Sequence, residues 1–585
     1  MQELELFVIF VTSLALTFGS IPLIMRFAVA YDLYDHPDVS DSKALNITAR
    51  RVHTRPIPRL GGLGIVIGFF LSMLLWVSPL PMKTIYTSSL LMFAVGIFDD
   101  LRPIPAKVRL MLQLLIASSV VFYGNLHLST IRFSDSLYFD LPYMAGALLS
   151  IFIIVGAINA INLTDGLDGL AGGVVLIGVL QLSMLHFLVT NDVLLIICFS
   201  VPLVGSLLGF LRYNTHPATI FMGDGGSNWL GFMVGVFVVL VLKGAALSSS
   251  DQNYSITWSI SMQMPFLSAL LCLAVPIADT AFVITSRILA GKSPMAADKN
   301  HFHHMLMKIG LSHPQSVATI YFLAVMVGTM GLMPIAYPQY RMAWTPYIGI
   351  FSTILFVWFC VRINREDFGP FLRFKMRWYA NVRFGPIIRR VIHYMATMNR
   401  YLIYGILAVA PILAGIPHPS IGYAAITAIV LMLVASMTKD SQSFFQSFVI
   451  SVGASILLTA INFNSLFIEI MGNRYNLQFL YNASFVFLFF STIAYLVLTI
   501  RRNHFIITPT DFLMICLPLG FLFIPEPYKS DFKLTIISLR SLVLFMSIRA
   551  LTRSQHGFIR RVRTVSIFSL LYVSLAAICG LRIVY

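Results

Sequence analysis

The strongest restriction on this chain is a succession of apolar runs, most about as long as a helix needs to cross the hydrocarbon of a bilayer, roughly 20 residues. They lie near 6–27, 61–79, 84–98, 108–124, 142–161, 170–190, 193–211, 227–247, 265–286, 315–336 and 344–361. A second group follows near 401–416, 421–437, 443–462, 479–500, 511–525, 534–550 and 564–583. Backbone polar groups in lipid must be satisfied within a helix or a closed barrel, and these runs lack the period-two alternation of barrel strands. The expected fold is all-α: a polytopic integral membrane helical bundle with roughly 11 core helices and about 7 more. Composition agrees, since only 11% of the residues are charged where soluble domains carry about 25%.

The formal net charge of +16 raises the question of nucleic acid. The basic residues, however, fall in short segments between apolar runs, as the positive-inside rule and contact with anionic lipid headgroups require, so no nucleic-acid partner is expected. Met1 to Glu5 carries acids rather than the basic start of a signal peptide, so the first run reads as a retained helix. The five cysteines (Cys198, Cys272, Cys360, Cys516, Cys579) are scattered in apolar runs and form no thiolate pair for a metal.

Threading the runs alternately puts segments 28–60, 99–107, 162–169, 212–226, 287–314 and 362–400 on one side. That side carries Arg50, Arg51, Arg55, Arg59, Arg102, Lys107, Arg287, Lys292, Lys299, Lys308 and a basic run from Arg373 to Arg390. The opposite loops are poor in Lys and Arg, so the basic side is expected to be cytoplasmic and the N-terminus outside. Three regions follow: a membrane domain over 1–365, a basic interfacial linker over 366–400 with Trp378, Tyr379 and Phe384 at headgroup level, and a multispanning block of unknown role over 401–585.

Five polar motifs fall on the basic side. The first loop ends Arg51-Val-His53-Thr-Arg55-Pro56-Ile-Pro58-Arg59-Leu-Gly61-Gly62, where His53 and Arg59 suit a phosphate-bearing ligand. Asp99 and Asp100 are adjacent carboxylates fit for a base or for metal support, with Lys107 poised at the next helix to meet a lipid phosphate. The third motif is Asn159-Ala-Ile-Asn162-Leu-Thr-Asp165-Gly166-Leu-Asp168-Gly169. Two amides, two acids and two glycines between two spans form a costly polar break rather than a plain turn. The fourth, Phe221-Met222-Gly223-Asp224-Gly225-Gly226-Ser227, sets a carboxylate in a glycine-rich bend suited to a hard cation, with Ser227 as an expected helix cap. In the fifth, His301, His303 and His304 follow Asp298 and Lys299; zinc is a rival there, but the lack of nearby cysteine and the acids elsewhere favour Mg²⁺ or Mn²⁺ with histidines left for phosphate or sugar. Acids, amides, histidines and a lysine on one face describe metal-assisted phosphate chemistry.

These motifs resemble, over roughly residues 1–365, the polyprenyl-phosphate N-acetylhexosamine-1-phosphate transferases of bacterial envelope synthesis. The single Phe302 after the first histidine resembles the branch that starts O-antigen, enterobacterial common antigen or teichoic acid linkage units, rather than the branch that acts on UDP-MurNAc-pentapeptide. The resemblance implies transfer of a sugar-1-phosphate, first choice GlcNAc-1-phosphate, from a UDP-sugar to undecaprenyl phosphate in the bacterial inner membrane, releasing UMP. It implies Mg²⁺ (or Mn²⁺) on Asp224 and Asn162, uracil read by Asp168 and the Gly166 backbone with Phe221 stacking, and His301, His303 and His304 on the diphosphate or sugar. Lys107 would hold the lipid phosphate beside Asp99 and Asp100, one of which would accept any remaining proton. Asp165 joins the substrate-binding set, its part between supporting the metal and ordering the loop left open, as is a homodimer. A double displacement through an aspartate, a different UDP-acetamido sugar, a lipid-linked sugar flippase and a non-catalytic scaffold are the alternatives.

Overall fold

A computed structural model describes residues 2–35, 56–77, 82–132, 138–190, 194–248, 264–293, 301–308, 310–336, 344–365, 386–413, 419–437, 449–457 in part, 467–470, 473–499, 534–552 and 558–579. The chain forms two compact units, Met1–Arg373 with Thr508–Leu513 and Phe374–Ile507 with Met514–Tyr585.

The first unit is built from α1 (Gln2–Ala30), α2 (Gly61–Trp76), α3 (Lys83–Leu101), α4 (Ala106–Phe122), α5 (Tyr143–Thr164), α6 (Leu170–Thr190), α7 (Val201–Asn214), α8 (Gly223–Ser248), α9 (Pro265–Cys272), α10 (Ala274–Leu289), α11 (Phe302–Lys308), α12 (His313–Ala336) and α13 (Thr345–Arg365). Two short antiparallel ladders join them, Tyr34–Asp35 with Ile57–Pro58 and Thr130–Arg132 with Tyr138–Asp140. Among the described residues six helices are long and apolar enough to span, and the bent pair α9–α10 makes a seventh. Large apolar side chains such as Phe152 and Leu148 on α5 and Leu75 on α2 point outward, where a soluble protein would be polar and a membrane protein meets lipid.

α8 is the axis of the unit and packs on α2, α3, α5 and α6. Its Gly231 and Gly235, four apart, face α5 so closely that a Cβ would lie 2.5 Å from the Ile158 Cα and 2.7 Å from the Ile154 Cα. Small residues at such spacing let membrane helices approach backbone to backbone, which compensates for the missing hydrophobic drive between helices in lipid. Trp229 fills the adjoining space, edge-on to Phe69 at 5.4 Å between ring centroids. This seam fixes the start of α8 against the end of α5.

Two runs differ from the single spans expected. The run at 265–286 is broken into α9 and α10, bent by 75°, because Pro276 cannot donate the hydrogen bond that would carry the helix through Cys272 and Leu273. The run at 193–211 opens with a π-helical turn, Ile196–Ser200, ahead of α7, where Pro202 removes another such donor.

The described helices of the second unit are α14 (Pro386–Leu413), α15 (Pro419–Met437), α16 (Leu477–Thr499), α17 (Leu534–Thr552) and α18 (Phe558–Cys579), with a hairpin of Phe467–Ile470 and Asn473–Asn476. Residues 386–400 of the expected interfacial linker form the first half of α14. Arg389, Arg390, His393 and Arg400 lower the hydropathy of its first half in sequence, so hydropathy alone starts that helix near 401. Trp378, Tyr379 and Phe384, and the run at 511–525, lie outside the described residues.

Candidate active site at one end of the first unit

α5 ends at Thr164 and α8 begins at Gly223, and the seam between them brings the third and fourth motifs into contact. Asn162 donates from Nδ2 to Asp224 Oδ1 at 2.7 Å and to Ser227 Oγ at 3.0 Å. Ser227 therefore sits inside α8 and does not cap it. The cap comes from Asp100, whose Oδ1 and Oδ2 each accept at 2.9 Å from the backbone N–H groups of Asp224 and Gly225. A carboxylate across the first N–H groups of a helix satisfies orphan donors and meets the positive end of the dipole.

Gly223 makes this approach feasible. Its φ of +78° is left-handed, and a Cβ there would lie 2.3 Å from the Arg59 carbonyl oxygen and 2.7 Å from Asp100 Oδ2. The end of the first loop is laced to the same bend: Phe221 N–H donates to Pro58 O, Gly61 N–H to Phe221 O and Gly62 N–H to Met222 O. Arg59 and Phe221 thus share one wall. His53 lies outside the described residues.

Asp99 takes another direction. Its Oδ1 accepts from the Ile104 N–H at 2.7 Å and its Oδ2 from Arg109 Nη1 at 2.8 Å. It anchors the turn from α3 to α4, at whose start Lys107 stands exposed. Each oxygen of the Asp99–Asp100 pair, expected to supply a base, accepts one hydrogen bond and keeps a second lone pair, and burial pushes the Asp100 carboxyl up to about 7.

The turn 165–169 is clamped from two sides. Gly169, also left-handed at φ +79°, donates its N–H to Asn214 Oδ1 at 2.9 Å, while its carbonyl accepts from the Tyr321 hydroxyl. Asp168 Oδ2 accepts from the Ala218 N–H at 3.1 Å and from His216 Nδ1 at 2.8 Å. The Asp168 N–H donates to His313 Nε2 at 3.1 Å, and the His216 and His313 rings stack 4.3 Å apart. One oxygen of Asp168 and two ring nitrogens lie within 4.8 Å of one another. The His313 lone pair is nevertheless already used by that N–H, so the trio reads as a clamp on Asp168 rather than a metal centre. Burial pushes the Asp168 carboxyl up, but the His216 hydrogen bond, the neighbouring His313 and the Ala218 N–H outweigh it and hold the group below the usual range.

The histidine loop closes the opposite wall. The His303 ring lies on Gly166, where a Cβ would come within 2.6 Å of its Nε2. His301 stacks on His303 at 5.6 Å and His304 stands 4.2 Å from it. Burial first, then the neighbouring histidines, hold His303 well below its ordinary pKa, so it is neutral at pH 7. His301 and the N–H of Phe302 both meet Asp279 of α10.

Between these walls sits Asp165, pushed up to about 7 by burial and by the charges of Asp224, Asp100 and Asp168. The repulsion among these carboxylates is one that a divalent cation would relieve. Asp224, Asp165 and Asn162, whose amide nitrogen is turned to Asp224, are the side chains with oxygens to offer such an ion.

Three supporting groups escaped the sequence reading. Asp279 is a lone acid inside an apolar run, a signal that hydrocarbon cost alone marks as functional. His216 lies in the Asn214-Thr-His-Pro turn that precedes Phe221 and carries no periodic signal. Gln113 accepts from Asn159 Nδ2 at 2.8 Å and reaches Asn228 Oδ1 at 3.5 Å, forming a buried amide chain beneath the site.

Residues 82–242 match the family model described as glycosyl transferase family 4. A Bacillus subtilis (strain 168) protein named probable undecaprenyl-phosphate N-acetylglucosaminyl 1-phosphate transferase is 33% identical over 382 residues, 64% of this chain and 98% of its own length. The decaprenyl-phosphate N-acetylglucosaminephosphotransferase of Mycolicibacterium smegmatis is 35% identical over 290 residues, 46% of this chain and 70% of its own length. The undecaprenyl-phosphate alpha-N-acetylglucosaminyl 1-phosphate transferase of Escherichia coli (strain K12) is 25% identical over 319 residues, 54% of this chain and 82% of its own length.

Proposed function

The chain belongs to glycosyl transferase family 4, and from that membership we propose that it transfers a sugar-1-phosphate to a polyprenyl phosphate. The donor in this reading is UDP-GlcNAc, the acceptor undecaprenyl phosphate, and the membrane the bacterial inner membrane with the site on its cytoplasmic face. The observation that carries the chemistry is the junction of Asn162, Asp224 and Asp100, with Asp165 among them and His303 above Gly166. A divalent cation, Mg²⁺ in this reading, supplies charge neutralisation of the diphosphate when bound. The side chains that fit it are Asp224, Asp165 and Asn162.

A phosphate oxygen of the acceptor attacks the β-phosphorus of the donor. The new O–P bond forms as the bond from the β-phosphorus to the bridging oxygen breaks, and that oxygen leaves with the electron pair on UMP. A phosphate monoester has its second pKa near 6, so the acceptor arrives largely as the dianion and needs little base catalysis. Little is therefore asked of Asp99 or Asp100 as a base, and Asp100, pushed up to about 7, is the better placed of the two to take a remaining proton. The chain's own part is positioning: the Gly166 turn and Phe221 receive the uridine, Arg59 and the histidines the diphosphate and sugar, and Lys107 the lipid phosphate. The cytoplasmic assignment is supported by Arg59, Arg102, Lys107, Arg287 and Lys292 at the site end.

The test is UMP release by the purified protein in detergent from UDP-GlcNAc and undecaprenyl phosphate, across a panel of UDP-acetamido sugars. Release that needs both lipid and divalent cation supports the reading. UMP exchange without lipid would replace it by a double displacement, and no release with any donor would overturn it.

A further inference from the structure

Asp279 is nearly fully buried on α10, in an apolar segment where an isolated carboxylate would cost several kcal/mol. Both of its oxygens point to the histidine loop. Oδ2 meets His301 Nδ1 at 2.9 Å, and Oδ1 accepts from the Phe302 N–H at 2.8 Å. An ionised carboxylate only accepts, so Nδ1 must carry the proton and Nε2 becomes the ring atom presented to a ligand. The next ring is His303, stacked on His301 and resting on Gly166 of the central turn. We propose that Asp279 is a positioning residue: it selects the Nδ1–H tautomer of His301 and seats α11, so that His301 Nε2 faces the donor's sugar-diphosphate. The link from this dyad to catalysis rests on the function proposed above; the tautomer does not.

Anchoring and tautomer selection separate in one variant. In Asp279→Asn the amide oxygen still accepts from Phe302 N–H, but the amide nitrogen now donates to His301 Nδ1 and drives the proton to Nε2. The fold and both hydrogen bonds survive while the ring is reversed. Full-length protein carrying ¹⁵N-histidine reports the tautomer directly, with the His301 signals assigned by their loss in His301→Gln. The expected result is Nδ1–H in the native protein and Nε2–H in Asp279→Asn. In the transfer assay Asp279→Asn should lower kcat about 10- to 100-fold, the range for partners that orient a ligand histidine. KM for undecaprenyl phosphate should be unchanged, Asp279→Glu should recover part of the loss, and Asp279→Asn should add little to His301→Gln. An Nε2–H tautomer in the native protein overturns the proposal. So does native kcat in Asp279→Asn, or a cycle with His301→Gln in which the two losses simply multiply. Native protein with the Nδ1–H tautomer and no transfer activity would instead overturn the proposed function and leave the dyad standing.

Discussion

Neighbouring carboxylates in this protein have separate physical tasks, and single substitutions should divide them. Asp99 closes a turn with Ile104 and Arg109. Asp99→Asn should cost about 1–2 kcal/mol of stability, a charge-assisted bond partly screened at Arg109. Its turnover per folded molecule should stay within a few-fold of native, read by thermal unfolding beside UMP release. Asp224→Asn should fold and yet lose nearly all turnover, with donor affinity and cation dependence falling together. Native activity in that variant would remove Asp224 from the cation set. Asp165 adds a pH signature. Its folded pKa of about 7 stands above about 3.9 in an unfolded chain, so the folded state binds this proton more tightly. The stability it contributes is fully present below about pH 4 and is lost as pH rises through about 7. Without divalent cation, the native protein should melt lower at pH 8 than at pH 6, and Asp165→Asn should reduce that slope, with Asp100, which burial also pushes up to about 7, carrying the rest.

At the scale of elements, the site depends on the α5–α8 seam. Ser227 illustrates how far local sequence carries. A Gly-Asp-Gly-Gly-Ser stretch looks like a helix entry capped by its own serine, but the helix starts four residues earlier because Asp100 arrives from α3 to cap it. No rule on neighbours within α8 contains that information. Gly231→Val tests the seam. Its Cβ would press on the Ile158 backbone, and an overpacked contact costs about 1–3 kcal/mol. A lower melting temperature and a drop in turnover larger than the loss of folded protein are expected, since the strain separates Asn162 from Asp224. Unchanged kinetics would mean that the seam only holds the bundle together.

Across the whole molecule, every site residue described lies in the first unit. The Bacillus subtilis relative is matched over 98% of its length by 64% of this chain, so about a third of this chain lies outside that match. A chain ending at Arg365 should therefore retain transfer, measured as UMP release per folded molecule. A loss of activity with the bundle still folded would give α14–α18 a part in the reaction.

Sequence alone determined the membrane class, the position of most helices in the first unit and the placing of polar motifs at helix ends. Spanning length, hydropathy and the pairing of acids with glycines at helix ends are local properties, and a window of about 20 residues contains them. The five motifs could be named for the same reason: ionisable groups are conspicuous in an apolar chain. What each carboxylate does was decided by tertiary structure. Asp99 and Asp100 are neighbours in sequence yet serve different turns, because their partners lie on α4 and α8. Asp279 on α10 and His301 just before α11 are 22 residues apart, and no local rule brings them together. A hydrogen bond depends on where its donor comes to rest, and in a bundle of helices that position is set by packing between distant segments.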